Sequence, residues 1–212
     1  LIDMVLANQS EELKEFLFVS AVPDEFCADL CAHLLCSNNV RQFIEELEQR
    51  NLFLIPLDRE RGWYRYHHLF QDFLRKTLEL QNPERLTQVL RMTSGWCEAY
   101  GRVDDAIEYA LRAGLYVEAV ELMEDAHYNS VMQNGHHDIF MSWIDRLPKN
   151  LLSQNVSLML TQAYSLIFMR QTDAALDLLK NIALRTPKAA GLPDVTGVEA
   201  AELMIKAITV SY

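Results

Sequence analysis

The chain has 212 residues, 50% of them hydrophobic and 23% charged, which is globular composition and excludes a disordered tail. Nineteen Lys and Arg stand against 30 Asp and Glu, a formal net charge of -11, and the deficit is shared: 8 basic and 14 acidic residues in 1–82, 11 and 16 in 83–212. Neither half offers the cationic surface that neutralises phosphates, no apolar stretch approaches the ~20 residues that span a bilayer, and Leu1-Ile2-Asp3-Met4 lacks the basic and apolar regions of a secretory signal. The expectation is a cytoplasmic protein, and, with no initiator Met, a piece of a longer one.

Residues 10–81 read as three helices, a short hairpin and a fourth helix. Ser10 caps a helix whose first turn carries Glu11 and Glu12, favourable at the positive end of the dipole. Leu13, Phe16 and Leu17 form its apolar face. Pro23-Asp24-Glu25 suits the first turn of a second helix, with Phe26, Leu30 and Leu34 at helical spacing. Ser37-Asn38-Asn39 is a loop and cap, followed by Val40, Phe43, Ile44 and Leu47 on a third amphipathic helix. Then the period changes. Leu52–Leu57 is a short apolar run, Asp58–Gly62 is polar, and Trp63-Tyr64-Arg65-Tyr66 is aromatic: strand, turn, strand. Pro56 must sit where no ladder donor is needed. Phe70, Phe73, Leu74 and Leu78 restore the helical period. Three helices and a two-stranded wing predict a winged-helix domain over 1–81.

Asn82-Pro83-Glu84 is a cap, an N1 proline and a first-turn acid, so a new helix starts there, and residues 82–212 read as a tetratricopeptide-like array of antiparallel helical hairpins. Leu86–Tyr100, Val103–Leu111, Tyr116–Met123, Leu160–Ile167 and Ala175–Ile182 supply the stripes. Gly101, Gly135 and Met169 recur 34 positions apart, each ahead of a new helix (Asp104-Asp105-Ala106, Asp138-Ile139-Phe140, Thr172-Asp173-Ala174). Residues 187–197 are a loop, and Thr196 with Glu199 forms a capping box opening a further helix from Val198. Pro83 disfavours helix at Asn82 and removes a donor, so Asn82 and Pro83 are the expected hinge between the winged helix and the array.

No chemistry-bearing motif stands out, and no catalytic, cofactor-binding or metal-ligating residue is assigned. None of the seven glycines precedes a Lys, so there is no phosphate loop, and GxGxxG, GxSxG and HExxH are absent. Cys27, Cys31 and Cys36 with His33 raise a metal site, but strong zinc signatures pair a CxxC knuckle with a second pair, so small buried core residues are the preferred reading. His67 packs or caps, and His136-His137 sit solvated in a turn. Arg59, Arg61, Arg65, Arg75 and Lys76 are the one local basic group. The third helix, the usual groove reader, sets Glu45, Glu46 and Glu48 against Arg41 and Arg50. Of the array's aromatic residues (Tyr100, Tyr109, Tyr116, Tyr128, Trp143, Tyr164), Tyr100, Tyr109 and Trp143 are the candidates for a ligand-binding inner face.

The block Asn51–Asp58, then Trp63-Tyr-Arg-Tyr-His-His-Leu-Phe70 and Asp72-Phe-Leu-Arg75, resembles the large ATP-dependent LuxR-type transcriptional regulators of the maltose-activator kind. Trp96-x-x-x-Tyr100-Gly101, Asp105-Ala-Ile-x-x-Ala110, Gly114, Ala119, Trp143-Ile-x-x-Leu147-Pro148 and Leu160-x-x-Ala163 extend the resemblance over about residues 1–185. It implies an order of nucleotide-binding STAND ATPase, winged helix, helical-repeat sensor and C-terminal helix-turn-helix, with this chain as the middle. ATP then belongs to the upstream domain and DNA to the downstream one. The partners implied are the chain's own ATPase domain and a small-molecule inducer or regulatory protein. The alternative is a stand-alone helical-repeat scaffold for a protein partner.

Overall fold

A computed structural model describes residues 9–37, 39–50, 53–58, 62–127, 131 and 135–185. The expectations for Leu52, the 59–61 part of the wing turn, Tyr128, the 187–197 loop and the helix from Val198 lie outside the described residues. The chain is mainly α and divides into two compact units, Leu1–Leu115 and Tyr116–Tyr212.

In the first unit α1 (Glu11–Ser20) begins where Ser10 accepts the Leu13 N–H at 3.2 Å, and buries Leu13, Phe16, Leu17 and Val19. The segment after it departs from the sequence reading. Residues 22–25 bend, and Phe26–Cys27 form a short strand, β1, rather than a first helical turn. The helix α2 (Ala28–Leu35) starts only after Cys27, whose sulfur accepts from the Leu30 N–H. The cause is tertiary: β1 pairs antiparallel with β3 (Trp63–Tyr66), Phe26 opposite Tyr64, and the Phe26 ring lies 6.0 Å from that of Tyr64 and 5.1 Å from that of Tyr66. Aromatic cross-strand partners outweigh a local helical preference.

The third helix, α3 (Val40–Gln49), buries Val40, Ile44 and Leu47. The wing is β2 (Leu54–Pro56) against β3, in a sheet of order β1-β3-β2. Pro56 therefore sits on an edge strand, where its missing N–H costs nothing. Phe53 holds φ +55, strained for an aromatic residue, and stacks on Phe70 at 4.7 Å while its carbonyl accepts the His67 N–H. Trp63 is half-buried, its ring 6.2 Å from that of Trp96 in an edge-on arrangement.

The long helix α4 (His68–Gln81) ends at Asn82, and α5 (Pro83–Ala99) follows at once. Asn82 leaves helical geometry (φ -150°, ψ 75°) and its side chain accepts the Arg85 N–H at 3.0 Å. α5 contacts both α2 and α4 and pairs with α6 (Val103–Arg112), and the Ser94 hydroxyl donates to the Ala106 carbonyl across that pair.

The second unit holds α7 (Tyr116–His127), α8 (His137–Ile144), α9 (Lys149–Gln154), α10 (Val156–Phe168) and α11 (Thr172–Arg185). Met159, Ala163, Leu166, Ala175 and Leu179 form the core between α10 and α11. The repeat is present with a register change. Gly101 and Gly135 have positive φ, as Gly114 between them does, but the position that follows Gly135 is Arg170, not Met169, and the helices start at Val103, His137 and Thr172. Ala106, Phe140 and Ala175 are the equivalent fully buried positions, so the second interval is one residue longer than the first.

His137 also differs from its expected exposure: it is 8% exposed, its Nδ1 lies 3.2 Å from the Ser165 hydroxyl, and its ring stacks on Phe168 at 4.3 Å. Burial pushes its pKa below the ordinary value, partly offset by Asp138. The unfolded chain then takes up a proton that the folded one resists, so stability is full above the unfolded value of ~6.5 and falls as pH drops below it. Urea midpoints of the 212-residue chain should fall between pH 7.5 and pH 5.5, and His137→Gln should flatten that part of the dependence. For the first unit, Tyr66 is fully buried with its hydroxyl 2.8 Å from Ser20, which itself donates to Phe16. Tyr66→Phe should cost about 1 kcal/mol in urea unfolding and Phe26→Ala about 3–5 kcal/mol.

Candidate functional site

The densest polar construction in the described residues surrounds the turn Ala21–Glu25, between α1 and β1. The Ala21 and Val22 N–H groups still bond back to Leu17 and Val19 of α1, but the turn's carbonyls join no helix or sheet ladder, so side chains must satisfy them. From α4, the Gln71 amide donates to the carbonyls of Pro23 at 2.8 Å and Ala21 at 3.2 Å, and Arg75 donates to Ala21 at 2.6 Å and Val22 at 2.8 Å. Arg75 also binds the Asp24 carboxylate at 2.7 Å. From α6, the Tyr109 hydroxyl accepts the Asp24 N–H at 2.9 Å. Arg112 reaches the Val22 carbonyl at 3.3 Å and the same Asp24 oxygen at 3.4 Å.

A second bridge lies beside it. Arg102 binds Glu25 and Asp105, each at 2.7 Å, and its guanidinium covers the Trp63 ring at 4.6 Å. Burial opposes its charge, but the two carboxylates outweigh that and raise its pKa. A third bridge, Arg85 to Glu15 at 2.7 Å, ties the start of α5 to α1. The arrangement binds no substrate by itself. It makes a mechanical joint, in which one turn is held by α4 of the winged helix and by α6 of the first hairpin.

The residues expected from sequence fall in different places. Tyr100 is 62% exposed and stacks on Trp96 at 4.2 Å. Tyr109 is 5% exposed and its hydroxyl is occupied by the turn; burial raises its pKa to about 12. Trp143 is 3% exposed within α8. Neither buried ring presents a face to a ligand. Asn82 and Pro83 do break the helix, yet Arg85–Glu15 lies beside the break and the Ala21–Glu25 bridges reach across to the hairpin that follows it. Arg75 belongs to the joint and not to a cationic patch. Cys27 caps α2, Cys31 and Cys97 are buried, and burial raises the pKa of each of these thiols, to about 11 at Cys97. Gln71, Arg102, Arg112 and Asp24 were missed as site residues. Apart from Arg102–Asp105, their partners lie 47 to 90 positions away, beyond the reach of any local pattern.

A winged helix with a bracing helical hairpin is thus the class that the first unit defines. Residues 2–86 match the family described as the MalT winged helix domain. Over 192 residues, 91% of this chain, the sequence is 30% identical to the serine/threonine-protein kinase PknK of Mycobacterium tuberculosis, in strains CDC 1551 and H37Rv, and of Mycobacterium bovis. The chain spans 17% of the length of these relatives. The N-terminal part of the chain is therefore a winged-helix domain similar to the MalT type, and the similarity to the PknK proteins runs on through the helices behind it.

The joint carries its own prediction. Gln71→Leu keeps volume but withdraws a buried donor from the Pro23 carbonyl, and should cost about 1–3 kcal/mol in urea unfolding of the chain. Lys14→Ala, which removes a surface pair with the exposed Glu11, should cost under ~0.5 kcal/mol.

Proposed function

We propose that this chain is the coupling and sensing segment of a larger ATP-dependent transcriptional regulator of the LuxR type. The observation that carries it is the joint: a MalT-type winged helix bound through one turn to a helical hairpin, with similarity to much longer proteins continuing across 91% of the chain. In this reading the winged helix contacts an upstream STAND ATPase, which holds the ATP. The tetratricopeptide-like helices receive a small-molecule inducer or a regulatory protein, and DNA is bound by a downstream domain. The segment itself is cytoplasmic and performs no catalysis. A ligand moves such a switch only by binding its two states differently, so the segment's task is to make the nucleotide state depend on what the helices hold.

The alternative, a scaffold for a protein partner, draws on α10. Its 13 residues carry no charge, and Val156, Leu160 and Phe168 are exposed along it. Apolar residues exposed along an uncharged helix suit a protein contact as well as a ligand.

Removing residues 116–212 from the longer polypeptide discriminates these readings. Loss of signal-dependent ATP turnover or promoter activation, with nucleotide binding retained, is the expected result. Full signal dependence after the truncation would sink the coupling role. On the same reading, the 212-residue chain alone should neither hydrolyse ATP nor bind a promoter duplex specifically. Nanomolar duplex binding at physiological salt, measured by fluorescence anisotropy, would contradict this.

A further inference from the structure

We infer that the turn Ala21–Glu25 is a one-sided latch, held permanently by α4 and releasably by α6. The two grips differ in kind. On the α4 side, Gln71 is buried and its bond to Pro23 is 2.8 Å, and Arg75 meets two carbonyls at 2.6 and 2.8 Å. Losing these donors strands carbonyls inside the winged helix. On the α6 side, Arg112 makes bonds of 3.3 and 3.4 Å, and its acidic partner Asp24 has a side chain 63% exposed. Arg102 pairs with a Glu25 side chain 40% exposed. Surface pairs of this type contribute little.

Release on the α6 side also leaves no orphan on the turn. Arg75 and Arg112 share one oxygen of Asp24, so when Arg112 withdraws the carboxylate keeps Arg75. Arg102 keeps Asp105 when it leaves Glu25. The Asp24 N–H, released by Tyr109, belongs to an exposed residue and passes to water. Val22 retains Arg75 as its donor. On the turn itself, every group freed by lifting the C-terminal turn of α6 already has a second partner or access to solvent, whereas the Pro23 carbonyl depends on Gln71. The fold thus contains a contact that opens without stranding a buried charge, placed where the winged helix meets the hairpin.

Native-state hydrogen exchange on the unmodified 212-residue chain tests this directly. The Asp24 amide should exchange through a local opening whose free energy is insensitive to low urea, while amides of α4 such as Leu74 and Leu78 follow global unfolding. Tyr109→Phe, which keeps the buried ring, should speed exchange at Asp24 about fivefold and leave Leu74 and Leu78 unchanged. An Asp24 amide with the same urea dependence as α4, or one indifferent to Tyr109→Phe, overturns the latch. A second arm rests on the coupling role proposed above. In the longer polypeptide, Arg112→Ala should shift the signal dependence of activation at least severalfold. Local opening with unaltered activation would uphold the latch and count against the coupling role, so the two fail separately.

Discussion

An interior turn with no ladder to join must find donors elsewhere, and that constraint organises the first unit. Ala21, Val22 and Pro23 present carbonyls where α1 ends. Gln71 and Arg75 stand one helical turn apart on α4, on the same face, and supply the donors. Fixing the turn fixes the entry of β1, and with it the pairing of Phe26 with Tyr64 and the aromatic core of Phe16, Phe26, Tyr66 and Phe70. The same turn then meets α6 through Tyr109 and Arg112. One short segment thus decides both how the winged helix closes and where the following hairpin rests.

This explains which parts of the architecture the sequence exposed. Elements governed by local rules are legible: the Ser10 cap, the proline at the first position of α5, the aromatic strand β3 and the apolar face of α3 all follow from spacing. Phe26 fails for a definite reason. Its spacing to Leu30 and Leu34 is helical, but its rings of contact come from a strand nearly 40 positions later. The joint is invisible for the same reason at larger scale. Asp24 and Glu25 look like helix-initiating acids and Arg75 like a surface base, because nothing in a linear pattern records that Asp24 faces Arg75 and Glu25 faces Arg102. His137 was hidden differently: a polar residue after a turn reads as solvated unless the aromatic ring that stacks on it, Phe168, is known to be there.

The repeat shows how a single residue alters such a reading. A period held strictly at the first interval puts the third turn at Met169 and the small buried residue at Ala174. The backbone instead turns at Arg170, with φ +60°, and buries Ala175. Gly101 and Gly135 adopt the left-handed geometry without a Cβ, whereas Arg170 carries the cost of one. Two bonds brace that turn, from the Arg170 N–H to Ile167 and from the Gln171 N–H to Leu166. The same pair of bonds closes the Gly101 turn, from Gly101 to Glu98 and from Arg102 to Cys97, so the helix end is kept where the glycine is not, and a search for glycine at a fixed interval passes it by.

Charge placement bears finally on what this segment meets. A phosphate-binding surface needs cations whose counterions are released on contact. In the first unit Arg41, Arg65 and Arg91 are exposed, whereas four arginines bridge to the chain's own acids: Arg75 and Arg112 to Asp24, Arg85 to Glu15 and Arg102 to Glu25. Presenting these four to a nucleic acid requires breaking the bridges that brace α1, α4 and α6. The helix in the position of a groove reader, α3, carries Glu45, Glu46 and Glu48, and residues 1–82 hold 14 acidic against 8 basic residues. Winged-helix geometry and DNA recognition are separable properties, since the first follows from how three helices and a hairpin close around aromatic side chains and the second from which charges remain on the outside. Here Arg75, Arg85, Arg102 and Arg112 are drawn into holding the fold and its joint.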